Sequence, residues 1–469
     1  MRYVSTRGAA PALGFEDVLL AGLAPDGGLY LPETWPRLSA ADLKMAASAP
    51  YAETAARVLA PFVGAAVAPA DLARLCAESY AGFDHPAVAP LVQLDRGLWL
   101  LELFHGPTLA FKDLAMQLLG RLYDHVLRRR GQRIVVVAAT SGDTGSAAIE
   151  ACRGRESIAL YVLHPLGRVS EVQRRQMTTV TDANIRNIAV EGSFDDCQDL
   201  VKGLFADLPF RQEMRLSAVN SINWARIAAQ VVYYVTAAAA LGAPERAVSF
   251  AVPTGNFGNA YAAYAARAMG LPVERLVVAS NRNDILACFF ASGEMAIGAV
   301  EPSLSPSMDI QVSSNFERLL FDLYDRDGAA VAGAMASLRR DGRLLVGEGR
   351  WRRATEIFSG FRLDDPGTLM AIKQSHDATG SLIDPHSAVA VAAAKAALKS
   401  GAAAPMVVLA TAHPAKFPDT VERATGRRPE LPAYLAGLMQ RPERVQVLPN
   451  DLAAVRDFIA GIEGGRGGA

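Results

Sequence analysis

Ile134-Val135-Val136-Val137-Ala138-Ala139 runs directly into Thr140-Ser141-Gly142-Asp143-Thr144-Gly145-Ser146, and an alanine-rich helical segment follows. Six successive apolar residues without polar alternation have strand length and suit a strand buried on both faces. Similar runs occur at 158–163, 185–190, 248–252, 276–279 and 406–410, each separated from the next by a longer amphipathic segment. This alternation predicts βαβ units, a mostly parallel sheet and helices on both of its faces. Ligands of such folds sit beyond the carboxyl ends of the strands, so the loops there are the ones to inspect.

The chain has 469 residues, 51% of them hydrophobic and 20% charged, with 47 basic against 48 acidic side chains. It is long enough for two or three domains with a large core. The balanced charge gives no field for nucleic acid or an anionic membrane, so any anion must be caught by a local site. Cys76, Cys152, Cys197 and Cys288 form no Cys-x-x-Cys pair, which argues against zinc and a disulfide framework and fits a reducing cytoplasm. No metal site is expected. The amino terminus lacks the apolar stretch of a signal peptide. The most apolar segment, 227–243, contains Gln230 and Thr236 and is short for a bilayer crossing, so a buried helix is expected there.

Four loops follow the runs or precede helices. Thr140 to Ser146 places small hydroxyl residues and glycines where backbone N–H groups open at the positive end of a helix; as an anion site it competes evenly with an ordinary capped turn. Pro253-Thr254-Gly255-Asn256-Phe257-Gly258-Asn259 has two glycines three apart that let the backbone close on a phosphate. It matches neither the dinucleotide fingerprint nor a Walker loop, so the phosphate belongs to another ligand. Asn220-Ser221-Ile222-Asn223-Trp224-Ala225-Arg226 offers an anion clamp, although Arg226 could equally pair with a surface carboxylate. Thr411 ends the run at 406–410, where it is either a ligand contact or simply a strand terminus.

Lysine is rare: Lys44, Lys112, Lys202, Lys373, Lys395, Lys399 and Lys416 are all the chain has. Lys112 sits in the first turn of a helix whose apolar face carries Leu114, Leu118, Leu119, Leu122 and Val126. A helix N-terminus and partial burial both disfavour an ammonium and favour the neutral amine that Schiff-base chemistry needs.

These segments together resemble the longer form of the threonine synthase family, within the pyridoxal-phosphate (PLP) enzymes of the tryptophan synthase β-subunit type. The most specific piece is Phe104-His105-Gly106-Pro107-Thr108-Leu109-Ala110-Phe111-Lys112-Asp113. Tyr3-Val4-Ser5-Thr6-Arg7-Gly8, Asp26-Gly27-Gly28-Leu29-Tyr30-Leu31-Pro32, Ser305-Pro306-Ser307-Met308-Asp309 and Asp384-Pro385-His386-Ser387-Ala388 fit the pattern too. The resemblance implies two doubly wound, mostly parallel α/β domains with the PLP site in the cleft between them, plus a mainly helical amino-terminal domain. The expected divisions are 1–92, a catalytic region 93–430 whose smaller part is roughly 130–230, and a helical extension 431–469.

By the same resemblance Lys112 carries the cofactor, and Gly255, Asn256, Phe257, Gly258 and Asn259 cradle its phosphate. Thr411 meets the pyridine nitrogen. Asp143 stands where shorter relatives have asparagine near the 3′ oxygen. Ser141, Gly142 and Thr144 hold the substrate carboxylate; Asn220, Ser221 and Arg226, with Asn256, face the substrate phosphate. The implied activity is synthesis of threonine from O-phospho-L-homoserine by a monomer or homodimer. A threonine or serine dehydratase or a phospho-lyase is the nearest alternative, and a non-catalytic binding protein would leave Lys112 unexplained.

Overall fold

The computed structural model describes residues 1–217, 221–401 and 405–465. It is a mixed α/β fold whose chain clusters into two compact units, one of residues 1–115 and 221–430, the other of 116–220 and 431–469.

In the first unit a six-stranded sheet has the order Phe358–Arg362, Val273–Ser280, Val248–Pro253, Met406–Ala410, Leu98–Glu102, Leu91–Asp95. All neighbours are parallel except the last two strands, which form a hairpin. Val248–Pro253 and Met406–Ala410 are buried along their whole length, as central strands covered on both faces must be. The alanine-rich helix Pro385–Lys399 packs Ala388, Val389 and Val391 against Leu100, Ala251, Val277 and Val408. Small side chains let this helix lie close to the sheet.

Residues 1–92 cluster with this sheet unit. Trp224 is the reason. Its indole is buried and lies 6.3, 5.9 and 5.6 Å, by ring centroids, from Tyr3, Trp35 and Phe62. The amino-terminal segment is helical but also contributes an antiparallel pair, Tyr3–Ser5 with Tyr30–Pro32. Residues 40–63 form two helices, Ala40–Ala46 and Tyr51–Val63, and not one, because Pro50 pushes the residue before it out of the helical region.

The second unit is a five-stranded, fully parallel sheet of order Gln446–Pro449, Ile185–Glu191, Ile158–Pro165, Ile134–Ala139, Leu216–Ser217. The 431–469 segment therefore brings an edge strand as well as the helix Leu452–Gly464, whose Val455 and Ile459 pack with Val137, Tyr161 and Ile188. The apolar segment near 227–243 is the buried helix Trp224–Ala240. Among the described residues no helix is long and apolar enough to cross a membrane.

Candidate active site

Val248–Pro253, Met406–Ala410 and Leu98–Glu102 are adjacent and parallel, so the loops that leave their carboxyl ends emerge along one edge of the sheet. The loop after Leu98–Glu102 and the loop after Met406–Ala410 then pair with each other. Phe111 N donates to Thr411 O at 2.9 Å, and His413 N donates to Leu109 O at 3.0 Å. Lys112 and Thr411, 299 positions apart in the chain, are thereby neighbours.

Several groups hold the backbone ahead of Lys112. Asp113 accepts from Thr108 N at 2.8 Å and Thr108 Oγ1 at 2.6 Å, and buried Lys416 donates to Thr108 O at 2.8 Å. Gly106 cannot carry a side chain, since a Cβ there would lie 2.5 Å from Asp113 Cβ. Leu109 adopts φ +63°, a left-handed conformation costly for leucine, held by this network. Lys112 itself is half-buried at the start of the helix Lys112–Arg130, with Nζ 5.3 Å from the Phe111 ring centroid.

The Gly255 loop is shaped from outside. Gly255 O accepts from Ser313 Oγ at 2.7 Å, and Asn256 O accepts from Asn315 N and Nδ2 at 3.1 and 3.0 Å. Phe257 sits at φ +60°, turning the chain into the helix Gly258–Ala268. Asn259 is buried. Its Oδ1 accepts from Tyr233 and Tyr234 hydroxyls at 2.6 and 2.7 Å, while its Nδ2 has no partner among the described residues.

Asn315 also reaches the neighbouring loop, where its Nδ2 lies 3.3 Å from Ser221 O. One carboxamide thus joins the 255–259 and 221–226 loops. Arg318 extends the brace, donating to Ile222 O and, at 2.8 Å, to Tyr30 O. Arg226, by contrast, is 3% exposed, and its Nε and Nη1 have no partner among the described residues. Burial pulls its pKa down to about 10. The surface-carboxylate reading of Arg226 is therefore set aside: the guanidinium is inside, and no ion pair among the described residues holds it. Asn220 lies outside the described residues.

In the other unit, Thr140 Oγ1 accepts from Gly142 N and Gly145 N at 3.0 and 2.9 Å, which closes the turn. Gly142 has φ +147°, and a Cβ there would strike the Gln173 carboxamide at 2.5 Å. Ser141 is exposed, Thr144 half-buried, and Asp143 buried with Oδ1 accepting from Gln173 Nε2 at 2.7 Å. Gln173, Asn315 and Ser313 escape a reading of motifs because each acts from a helix or turn remote in sequence. The polar triplet Ser313-Ser314-Asn315 ahead of Phe316 is the one local signal.

Family models match the chain in three consecutive blocks: the threonine synthase N terminus over residues 2–80, the pyridoxal-phosphate dependent enzymes over 83–351, and the threonine synthase C-terminal model over 387–459. Threonine synthase of Pseudomonas aeruginosa is 56% identical over 461 residues, covering 98% of both chains. The chain belongs to the threonine synthase family. The PLP-bound threonine synthase of Brucella melitensis superposes with TM-score 0.96 at 53% identity, covering 98% of this chain and 99% of that one. The yeast threonine synthase does so with TM-score 0.93 at 36% identity, covering 99% of each. This member is accordingly a PLP-dependent enzyme with a small-molecule substrate.

The residues present fit that cofactor. The loop at 255–259 has the form of a phosphate seat: a helix N-terminus, a left-handed turn, and no room for a side chain at Gly255, whose Cβ would lie 2.7 Å from Ser307 O. The orphaned Asn259 amide supplies a buried donor, which a bound oxygen would satisfy.

Proposed function

We propose that this enzyme converts O-phospho-L-homoserine and water into L-threonine and phosphate. The observation that carries this reading is Arg226. A guanidinium 3% exposed and without an ion pair among the described residues costs several kcal/mol unless an anion joins it. With the cofactor phosphate assigned in this reading to 255–259, the anion that Arg226 awaits is a second phosphate, that of the substrate.

In this reading Lys112 anchors the cofactor, Gly255 to Asn259 hold its phosphate, and the Thr411 hydroxyl meets the ring nitrogen. PLP, when bound, supplies the electron sink for carbanionic chemistry next to the amine. Ser141, Gly142 and Thr144 receive the substrate carboxylate, with Asp143 near the cofactor oxygen and oriented by Gln173. Lys112 Nζ takes and returns the proton at substrate Cα, takes one at Cβ, and gives one to Cγ once phosphate has left, so that Cγ becomes the methyl carbon of threonine. Ser221, Asn220, Asn256 and Arg226 take up the negative charge that grows on the phosphate as it leaves Cγ, and water adds at Cβ. Four unpaired cysteines fit a cytoplasmic setting.

The test is an assay of the purified enzyme with O-phospho-L-homoserine that follows inorganic phosphate and threonine together. Equal release of the two is expected. Deamination of threonine or serine without use of the phosphorylated substrate would replace this reading with that of a dehydratase.

A further inference from the structure

Two stretches that fit the family pattern without an assigned task, Ser305 to Asp309 and Asp384 to Ala388, meet at His386. This imidazole is 3% exposed. Its Nδ1 lies 2.7 Å from Asp384 Oδ2, and its Nε2 accepts the Ser307 backbone N–H at 3.2 Å. A backbone amide can only donate, so Nε2 carries the lone pair and the ring proton sits on Nδ1, facing the carboxylate. Asp384 is fixed in turn: its Oδ1 accepts from Ser387 N at 3.1 Å and from Ser387 Oγ, capping the helix Pro385–Lys399. Phe417, from the loop after Thr411, lies against the ring at 4.9 Å between centroids.

The segment that His386 grips is held at its far end as well. Asp309 accepts from Asn281 Nδ2 at 2.7 Å, Asn283 Nδ2 at 3.0 Å and Ser303 Oγ at 2.6 Å. What lies between is the wall of the phosphate loop: Ser307 O and Met308 Cα stand 2.7 and 3.2 Å from where a Cβ at Gly255 would be. A shift of Ser307 by a few tenths of an ångström would open or crush the turn at Gly255.

We propose that His386 is a positioning residue for the cofactor phosphate, acting through the Ser307 backbone on the shape of the Gly255 loop. It rests on the reading of Gly255 to Asn259 as the phosphate seat. The chemical signature is selectivity: the effect is confined to the phosphate end of the cofactor.

The test uses the full chain stripped of cofactor and reconstituted with pyridoxal 5′-phosphate or with pyridoxal, which lacks the phosphate. His386→Phe keeps the ring volume but removes the Nε2 acceptor that Ser307 N–H uses, so the dissociation constant for pyridoxal phosphate should rise about tenfold while that for pyridoxal stays within about twofold. His386→Gln, which retains an acceptor, should recover most of the affinity. Equal weakening of both ligands, or none, overturns the proposal. Gly255→Ala is the control on the underlying reading: if it too lacks phosphate selectivity, the seat itself is wrongly assigned. Should His386→Phe fail to fold, Asp384→Asn serves. Its amide would donate to Nδ1, move the ring proton to Nε2 and set it against Ser307 N–H, and the absence of a phosphate-selective loss there also overturns the proposal.

Discussion

Replacing Arg226 by methionine should make the ligand-free protein more stable and the enzyme much worse. Both signs follow from the same fact. The guanidinium is 3% exposed, Nε and Nη1 have no partners among the described residues, and burial lowers the pKa from 12.5 to about 10. At about 1.4 kcal/mol per pKa unit that shift corresponds to roughly 3 kcal/mol of destabilisation of the charged form. Methionine keeps much of the stem volume within the buried helix and removes the charge, so thermal unfolding of the ligand-free variant should begin a few degrees higher. On the substrate side, loss of a desolvated phosphate contact is worth about 2–5 kcal/mol, a fall of roughly 30- to 5,000-fold in kcat/KM. Inorganic phosphate should stabilise the wild type against heat and the variant hardly at all. The assays are differential scanning calorimetry with and without phosphate, and steady-state turnover of O-phospho-L-homoserine. A variant that is both less stable and as active as the wild type would refute the reasoning.

Three further outcomes are expected. Lys112→Ala should lose turnover and the long-wavelength absorbance of the bound cofactor, and borohydride should leave no label at position 112; retention of either signal contradicts the assignment. His413 is held down to about 4, chiefly by burial and also by His105, so it stays neutral in the fold while its unfolded form protonates near 6.5. The unfolded chain therefore binds the extra proton, stability is full above about pH 6.5 and falls toward pH 4, and about 1–2 kcal/mol is lost between pH 7 and 5. His413→Asn, which preserves the acceptor for Ala415 N, should flatten that part of the denaturation-versus-pH curve. Glu317→Gln should lower the unfolding midpoint by the equivalent of about 3 kcal/mol, because Arg7, paired with Glu317 at 2.9 and 3.0 Å with both side chains largely buried, would be left uncompensated. A change under 0.5 kcal/mol in chemical denaturation would show the pair to be dispensable.

The strands legible in the sequence are those buried on both faces. Ile134–Ala139 and Met406–Ala410 appear with the bounds their apolar runs suggest, because uninterrupted burial leaves an uninterrupted apolar record. Phe358–Arg362 and Gln446–Pro449 occupy sheet edges, carry polar and exposed residues, and leave no such record. The same distinction governs the candidate site. Loops at strand ends stand out by their glycines and hydroxyls, whereas Asn315, Gln173 and His386 act by hydrogen bonds between distant segments, and local composition does not name their partners. That Arg226 has no carboxylate partner among the described residues is likewise a property of its surroundings: a guanidinium in a salt bridge and one awaiting a ligand look alike in sequence.

The parallel pairing of Gln446–Pro449 with Ile185–Glu191 has a bearing on how the chain is made. On the ribosome, the other strands of that five-stranded sheet emerge more than two hundred residues before their last neighbour. Until the tail is synthesised, Ile185–Glu191 presents an open hydrogen-bonding margin to any passing polypeptide. Nascent molecules that stall or are clipped ahead of residue 446 are thus candidates for intermolecular strand addition, and the strand Gln446–Pro449 acts as a built-in guard against it.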